Sequence, residues 1–227
     1  MKNLILAFAF FLSAASVCAQ SCADGWLPFT EGMTYEQTHY NKKGKIESYM
    51  RGEILSVTAE DGKSVALIEA DFVDKKGKDI QSDLQTKYIC DGEGYEFDMS
   101  GLLSQLPLDG VVEIETSRKK LVYPMNMNVG DELPNGGIDF TVNAGIMQIN
   151  GEVRMRNRRV AGKETISVPA GDFDTVKITY DLETTVFGNT RNEQVTEWMA
   201  RGIGAVKSEH RSEGDLNNYM ELTKLSK

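Results

Sequence analysis

The sequence predicts an all-β protein: antiparallel meanders curving into a half-barrel or sandwich, with at most one or two short helices. Three observations carry that expectation. Runs of strand length are separated by short polar turns that contain Gly. Several of these runs alternate apolar and polar residues with period two. No stretch of helical period extends beyond about three turns.

The N-terminal half reads as a meander. Met33 to Tyr40 is the first strand, ended by Asn41-Lys42-Lys43-Gly44-Lys45, and Ile46 to Thr58 is the second, ended by Glu60-Asp61-Gly62. Ser64 to Val73 follows, closed by Asp74-Lys75-Lys76-Gly77, and Ile80 to Cys90 then runs to Asp91-Gly92-Glu93-Gly94. In this fourth strand Ile80, Leu84, Tyr88 and Cys90 share one parity, and Gln81, Asp83, Gln85 and Lys87 share the other. That alternation predicts a sheet with one buried and one wet face. Ser100 to Leu106 fits a short helix stopped by Pro107, and Val111 to Val122 fits a strand. The C-terminal half supplies strands over Ile138–Val142, Ile146–Arg158, Glu164–Val168, Asp174–Val186, Arg191–Ala200, Gly204–Arg211 and Asn218–Leu225. The domain reading is therefore one β-rich unit over 20–227, divisible into halves 20–122 and 138–227 joined by loop 123–137. That loop is not a polymer linker, because Met125, Met127, Val129 and Leu133 have the character of anchoring side chains.

Residues 1–19 read as a signal peptide. Lys2 gives a positive n-region, Leu4 to Leu12 an apolar core, and Ser13 to Ala19 the small residues of a cleavage site, with the cut before Gln20. Export to the periplasm or the cell surface is the expected address. Lipidation would need a Leu-like residue three before a modified Cys; Cys22 has Ala19 there, so the lipoprotein reading is disfavoured. No later stretch approaches the apolar length of a membrane-spanning helix, so no transmembrane segment is expected after cleavage. Cleavage removes Lys2 and takes the formal charge from −9 to −10. An acidic chain without a sustained Lys/Arg patch is a poor nucleic-acid binder, because phosphate neutralisation supplies most of that affinity. The leader also removes Cys18, leaving Cys22 and Cys90, which in an oxidising compartment read as one disulfide.

Catalytic signatures are missing from the sequence: there is no nucleophile elbow, HExxH, P-loop or paired CxxC. His39 and His210 are the two neutral-pH bases; the first shares parity with Met33 and Tyr35, and the second sits among Lys207, Glu209, Arg211 and Glu213. Both read as structural. Two thiols without nearby His or acidic partners are too few for a metal site, and no calcium-loop spacing is complete. No catalytic residue, metal or cofactor is expected. Arg154, Arg156 and Arg158 alternate on one face of a strand, where they suit pairing with an acidic neighbour strand or, alternatively, an anionic ligand.

Several segments resemble a known family. Val168-Pro169-Ala170-Gly171-Asp172-Phe173 is similar to the VPAG-x-F hairpin of TapB-like exported proteins of Bacteroidetes type, whose domain has no assigned function. Glu197-Trp198-Met199-Ala200-Arg201-Gly202-Ile203-Gly204-Ala205-Val206-Lys207 resembles their W-[YF]-A-x-G-[IV]-G-x-V-K unit, with Met199 replacing the aromatic. Cys22 with Pro28-Phe29-Thr30-Glu31-Gly32, and Tyr88-Ile89-Cys90-Asp91-Gly92 with Asp98-Met99, resemble the family's two cysteine segments. The resemblance implies a fold and a compartment, and no catalytic residues.

Two functional readings follow. In the first, a non-enzymatic exported β-module binds a lipid or other amphiphile, or an envelope partner, on its concave face, by architectural analogy with LolA-type carriers. Leu102, Leu103, Leu106, Met125, Met127 and Leu133 are the residues expected to face such a cavity. In the second, the module is a structural or assembly protein of the envelope, acting through its sheet edges.

Overall fold

The computed structural model describes residues 22–97, 113–119, 121–144 and 147–227. Two of its turns repeat one chemistry. Asn41 Oδ1 accepts from the backbone N–H groups of Lys43 (3.0 Å) and Lys45 (3.2 Å), and Asp74 Oδ1 accepts from those of Lys76 (2.7 Å) and Lys78 (2.9 Å). Gly44 and Gly77 sit at φ of 72° and 82°, where a Cβ would be strained, so the Lys-Lys-Gly-Lys stretch reverses the chain at both places.

Among the described residues, thirteen strands form one antiparallel sheet. They are β1 (Thr34–Asn41), β2 (Ile46–Glu60), β3 (Lys63–Asp74), β4 (Asp79–Cys90), β5 (Gly94–Phe97), β6 (Glu113–Lys119), β7 (Leu121–Pro124), β8 (Gly136–Ala144), β9 (Met147–Val168), β10 (Gly171–Val186), β11 (Asn189–Ala200), β12 (Gly204–Ser212) and β13 (Asp215–Ser226). Their spatial order is β6-β8-β9-β10-β11-β12-β13-β1-β2-β3-β4-β5-β7. The two halves of the chain share this sheet, because β13 pairs with β1. Its two ends are consecutive in sequence: β6 pairs with β8, and β7, one residue later, pairs with β5. The chain thus joins the last strand of each half and turns the sheet into a nearly closed barrel.

The segment expected as one strand, Val111–Val122, is therefore two, each serving a different neighbour. Conversely, Ile146–Arg158 and Glu164–Val168 fuse into the long β9. The short β5 had no counterpart in the sequence reading. Ser100 to Leu106 lies outside the described residues.

The buried core lies inside the barrel, where Met33, Ile54, Ile68, Tyr95, Leu121, Ile138, Val176, Ile178, Val195 and Met199 pack together. A smaller cluster of Val168, Trp198, Ala200, Val206 and Leu222 accounts for the family-like motifs. Ala170 N–H donates to Leu222 O at 3.2 Å, fixing the β9–β10 turn against β13. Trp198 Nε1 donates to Glu164 at 2.8 Å, and Lys177 and Lys207 flank its ring.

The alternation in β4 holds from Leu84 to Cys90 and fails at Ile80, which is 59% exposed. Asp83 adopts φ 59°, and the β3–β4 register shifts there, so the parity of the residues before it is reset.

Candidate functional site: a barrel cavity with a carboxyl wall

Inside the barrel a cavity of about 280 Å3 remains unfilled. Its apolar wall comes from Leu27 and Pro28 ahead of β1, Met50 on β2, Phe97 on β5, Leu121 on β7, Met155 on β9, Met199 on β11 and Met220 on β13. Methionine suits such an irregular lining, since its thioether adapts to varied shapes. Tyr35, Gln37, Tyr88, Tyr123, Tyr180 and Glu197 supply the polar groups. Tyr35 reaches its place because it lies across Gly52 on the neighbouring strand, where a Cβ would fall 2.3 Å from the ring.

Glu197 is the charged group of this wall. It follows from strand parity: Val195 and Met199 on either side are core residues, so the carboxyl points inward with them. Burial raises its pKa, against the opposing effects of the Arg158 charge and the hydrogen bond from Tyr123. Tyr123 Oη donates to Glu197 Oε2 at 3.3 Å. The guanidinium of Arg158 stands 4.7 Å from the centre of the Tyr123 ring. Its Nη1 donates to Val122 O at 2.9 Å and also to Pro134 O. Arg158 is 2% exposed, and among the described residues its Nε and Nη2 meet no acceptor in good hydrogen-bond geometry.

Burial, which disfavours a phenolate, raises the pKa of the phenols as well. Tyr35 is pushed up to about 12, and Tyr88, Tyr123 and Tyr180 are raised further. The negative charge of Glu197 adds to the rise at Tyr88, Tyr123 and Tyr180. The cavity thus offers neutral phenols, one acid and apolar surface.

Larger grooves of about 560 and 780 Å3 lie elsewhere on the molecule, and several of their charged side chains are paired. In the first, Glu36 is met by Arg51 at 3.0 Å, by Lys224 at 3.0 Å and by Thr223. In the second, Arg156 meets Glu183 at 3.3 Å, and Asn157 Nδ2 donates to Asp181 at 2.7 Å.

The residues expected from sequence are distributed as follows. Met127 and Leu133 are buried in the core, and Met125 packs against it with its sulfur 3.5 Å from Tyr95 Oη. None of the three is among the residues lining the cavity. Leu102, Leu103 and Leu106 lie outside the described residues. Cys22 and Cys90 are joined in a disulfide with Cα atoms 6.0 Å apart. His39 is largely buried, and its pKa is lowered by desolvation and by His210; His210 Nδ1 lies 3.2 Å from Glu193. Neither histidine lines the cavity. Arg154 and Arg156 pair with acidic neighbours, Asp139 and Glu152 for the first and Glu183 for the second. Arg158 departs from their face and enters the core. Glu197 and the tyrosines escaped the sequence reading, although an acid between two apolar residues of equal parity was a usable signal.

The family model matches residues 30–222. The chain belongs to the DUF3108-like family. This is the family assignment, and the TapB-like label suggested by the short motifs is not the one matched. A solved structure from Bacteroides fragilis NCTC 9343, provisionally described as an exported protein with a YmcC-like fold, is 23% identical. It aligns over 90% of this chain and 100% of its own, with a TM-score of 0.74. A provisionally described lipoprotein from Parabacteroides distasonis ATCC 8503 is 19% identical over 89% of this chain and 99% of its own, also with a TM-score of 0.74. Similarity at these identities shows a shared fold. No curated protein matches the sequence.

Proposed function

We propose that this chain is an exported, non-enzymatic β-module that holds a small amphiphilic molecule inside its barrel. The cavity carries the reading: apolar walls flank a carboxyl and several phenols that line it. Ligand sites typically combine such a wall with a few convergent polar groups. At about 280 Å3 the space suits a small molecule or one short chain, and is too small for a whole two-chain lipid. Support for export comes from the N-terminal sequence and from the descriptions of the Bacteroides and Parabacteroides structures. The edge-assembly alternative is weakened at β7, where Arg158 occupies the Val122 carbonyl.

Uptake of the apolar dye N-phenyl-1-naphthylamine tests the proposal. Saturable uptake is expected for the wild type. Filling the cavity by Ala205→Phe should weaken uptake by at least about tenfold. No uptake by a folded wild-type protein, or equal uptake by a folded Ala205→Phe variant, refutes it.

A further inference from the structure

We infer that the cavity takes a small organic cation, a primary or methylated amine on a short apolar tail, with Glu197 as its counter-ion. The inference rests on the cavity-binding reading and specifies the polar end of the ligand. Among the described residues that line the cavity, Glu197 is the single acidic side chain, and no Lys, Arg or His stands beside it. Its charge is met only in part, by the nearby charge of Arg158 and by a hydroxyl. Tyr123 gives one long hydrogen bond, and no basic group forms a salt bridge with it among the described residues. Arg158 acts from behind the Tyr123 ring, with its Nη1 committed to two backbone carbonyls. Glu197 is half-buried; a carboxylate largely withdrawn from water without an ion-pair partner is costly, and a cation arriving on the cavity side would compensate it.

The walls favour the same chemistry. Tyr35, Tyr88, Tyr123 and Tyr180 all line the cavity. Aromatic faces attract cations through the ring quadrupole, most strongly where water is excluded. Neutral phenol oxygens can also accept from an ammonium N–H. A carboxylate or phosphate head would meet Glu197 with like charge and no lining cation. A hydroxyl head could make a hydrogen bond but would leave the carboxylate uncompensated. The volume holds roughly nine water-sized groups, which matches an ammonium with a short tail.

Calorimetric titration with hexyltrimethylammonium, hexanoate and hexanol separates these heads. The cation is expected to bind at least about tenfold more tightly than hexanoate. It should lose about tenfold in Glu197→Gln, while hexanol binding stays unchanged. Tyr88→Leu keeps the carboxyl and removes a ring face, so it should also weaken the cation selectively; this arm stands if Glu197→Gln does not fold. Hexanoate binding as tightly as the cation overturns the inference, as does undiminished cation binding in folded variants. Binding of hexanol and the apolar dye without the cation overturns the amine assignment alone. If no probe binds, the cavity-binding reading falls with it.

Discussion

Glu197 shows how one side chain can set a pH response. Burial lifts its pKa above the usual 4.5, so the folded chain holds a proton that the unfolded chain has already released. Stability contributed by this group is therefore greatest in acid and falls as pH rises from about 4.5 through the raised folded value. Glu36, Glu193 and Glu209 act in the opposite sense. Ion pairs and hydrogen bonds lower their pKa values, against the desolvation that opposes this, and their stabilisation is lost as pH falls below the usual range. Comparing wild type with Glu197→Gln cancels these common contributions and isolates the buried acid. The variant should gain in relative melting temperature on going from about pH 4 to about pH 7, because glutamine mimics the protonated acid at every pH. A difference in melting temperature that stays constant across that range would show that Glu197 is not perturbed.

At the scale of elements, the decisive feature is a β-bulge in β9. Thr179 pairs with Arg159 and Asp181 with Arg156, so Asn157 and Arg158 together oppose Tyr180. Asn157 takes φ 54°, a left-handed conformation that asparagine tolerates better than most residues. The extra residue turns Arg158 away from the face of Arg154 and Arg156 and into the core. Asn157→Gly should be nearly neutral, whereas Asn157→Val should cost about 1–2 kcal/mol in urea unfolding. Equal stability of the Val variant would show that the bulge does not depend on the asparagine. The same feature explains what the sequence could disclose. Strands bounded by Gly turns, such as the one ending in Cys90, were legible in extent to within a residue or two, although the shift at Asp83 turned Ile80 outward. Arg158 was not, because period-two reasoning assumes an unbroken ladder and a bulge reverses parity from that point. The cavity was missed for a related reason: it depends on which inward side chains fail to meet across the barrel, and that is set by closure between distant strands. Glu197 was readable in principle, because its local pattern places an acid among core residues.

Besides the β1–β13 pairing, two connections join distant parts of the chain. One is the β6–β7 segment, which joins the two ends of the sheet. The other is the N-terminal segment, which links opposite parts of the barrel. Tyr95 Oη donates to Cys22 O at 2.6 Å, Trp26 Nε1 donates to Met125 O at 3.0 Å, and Arg201 Nη1 donates to Asp24 O at 2.8 Å. The guanidinium of Arg201 also stacks 4.3 Å above the Trp26 ring. The same segment supplies Leu27 and Pro28 to the cavity wall, and the Cys22–Cys90 disulfide anchors it to the end of β4. With the cysteines 68 positions apart in sequence, the chain-entropy account gives the bond about 4 kcal/mol of stabilisation. Unreduced, denatured mature protein should therefore show no free thiol. A Cys22→Ser/Cys90→Ser variant should lose about 2–5 kcal/mol on unfolding. Hydrogen exchange should quicken first in residues 22–32, while the central β9–β10 pair remains protected. Dye uptake should weaken together with that local opening, because part of the cavity wall is then released. If exchange in 22–32 is unchanged and uptake is undiminished in the double variant, the disulfide does not hold that wall. The hydrogen bonds to Met125, Tyr95 and Arg201 would then be sufficient to keep it in place.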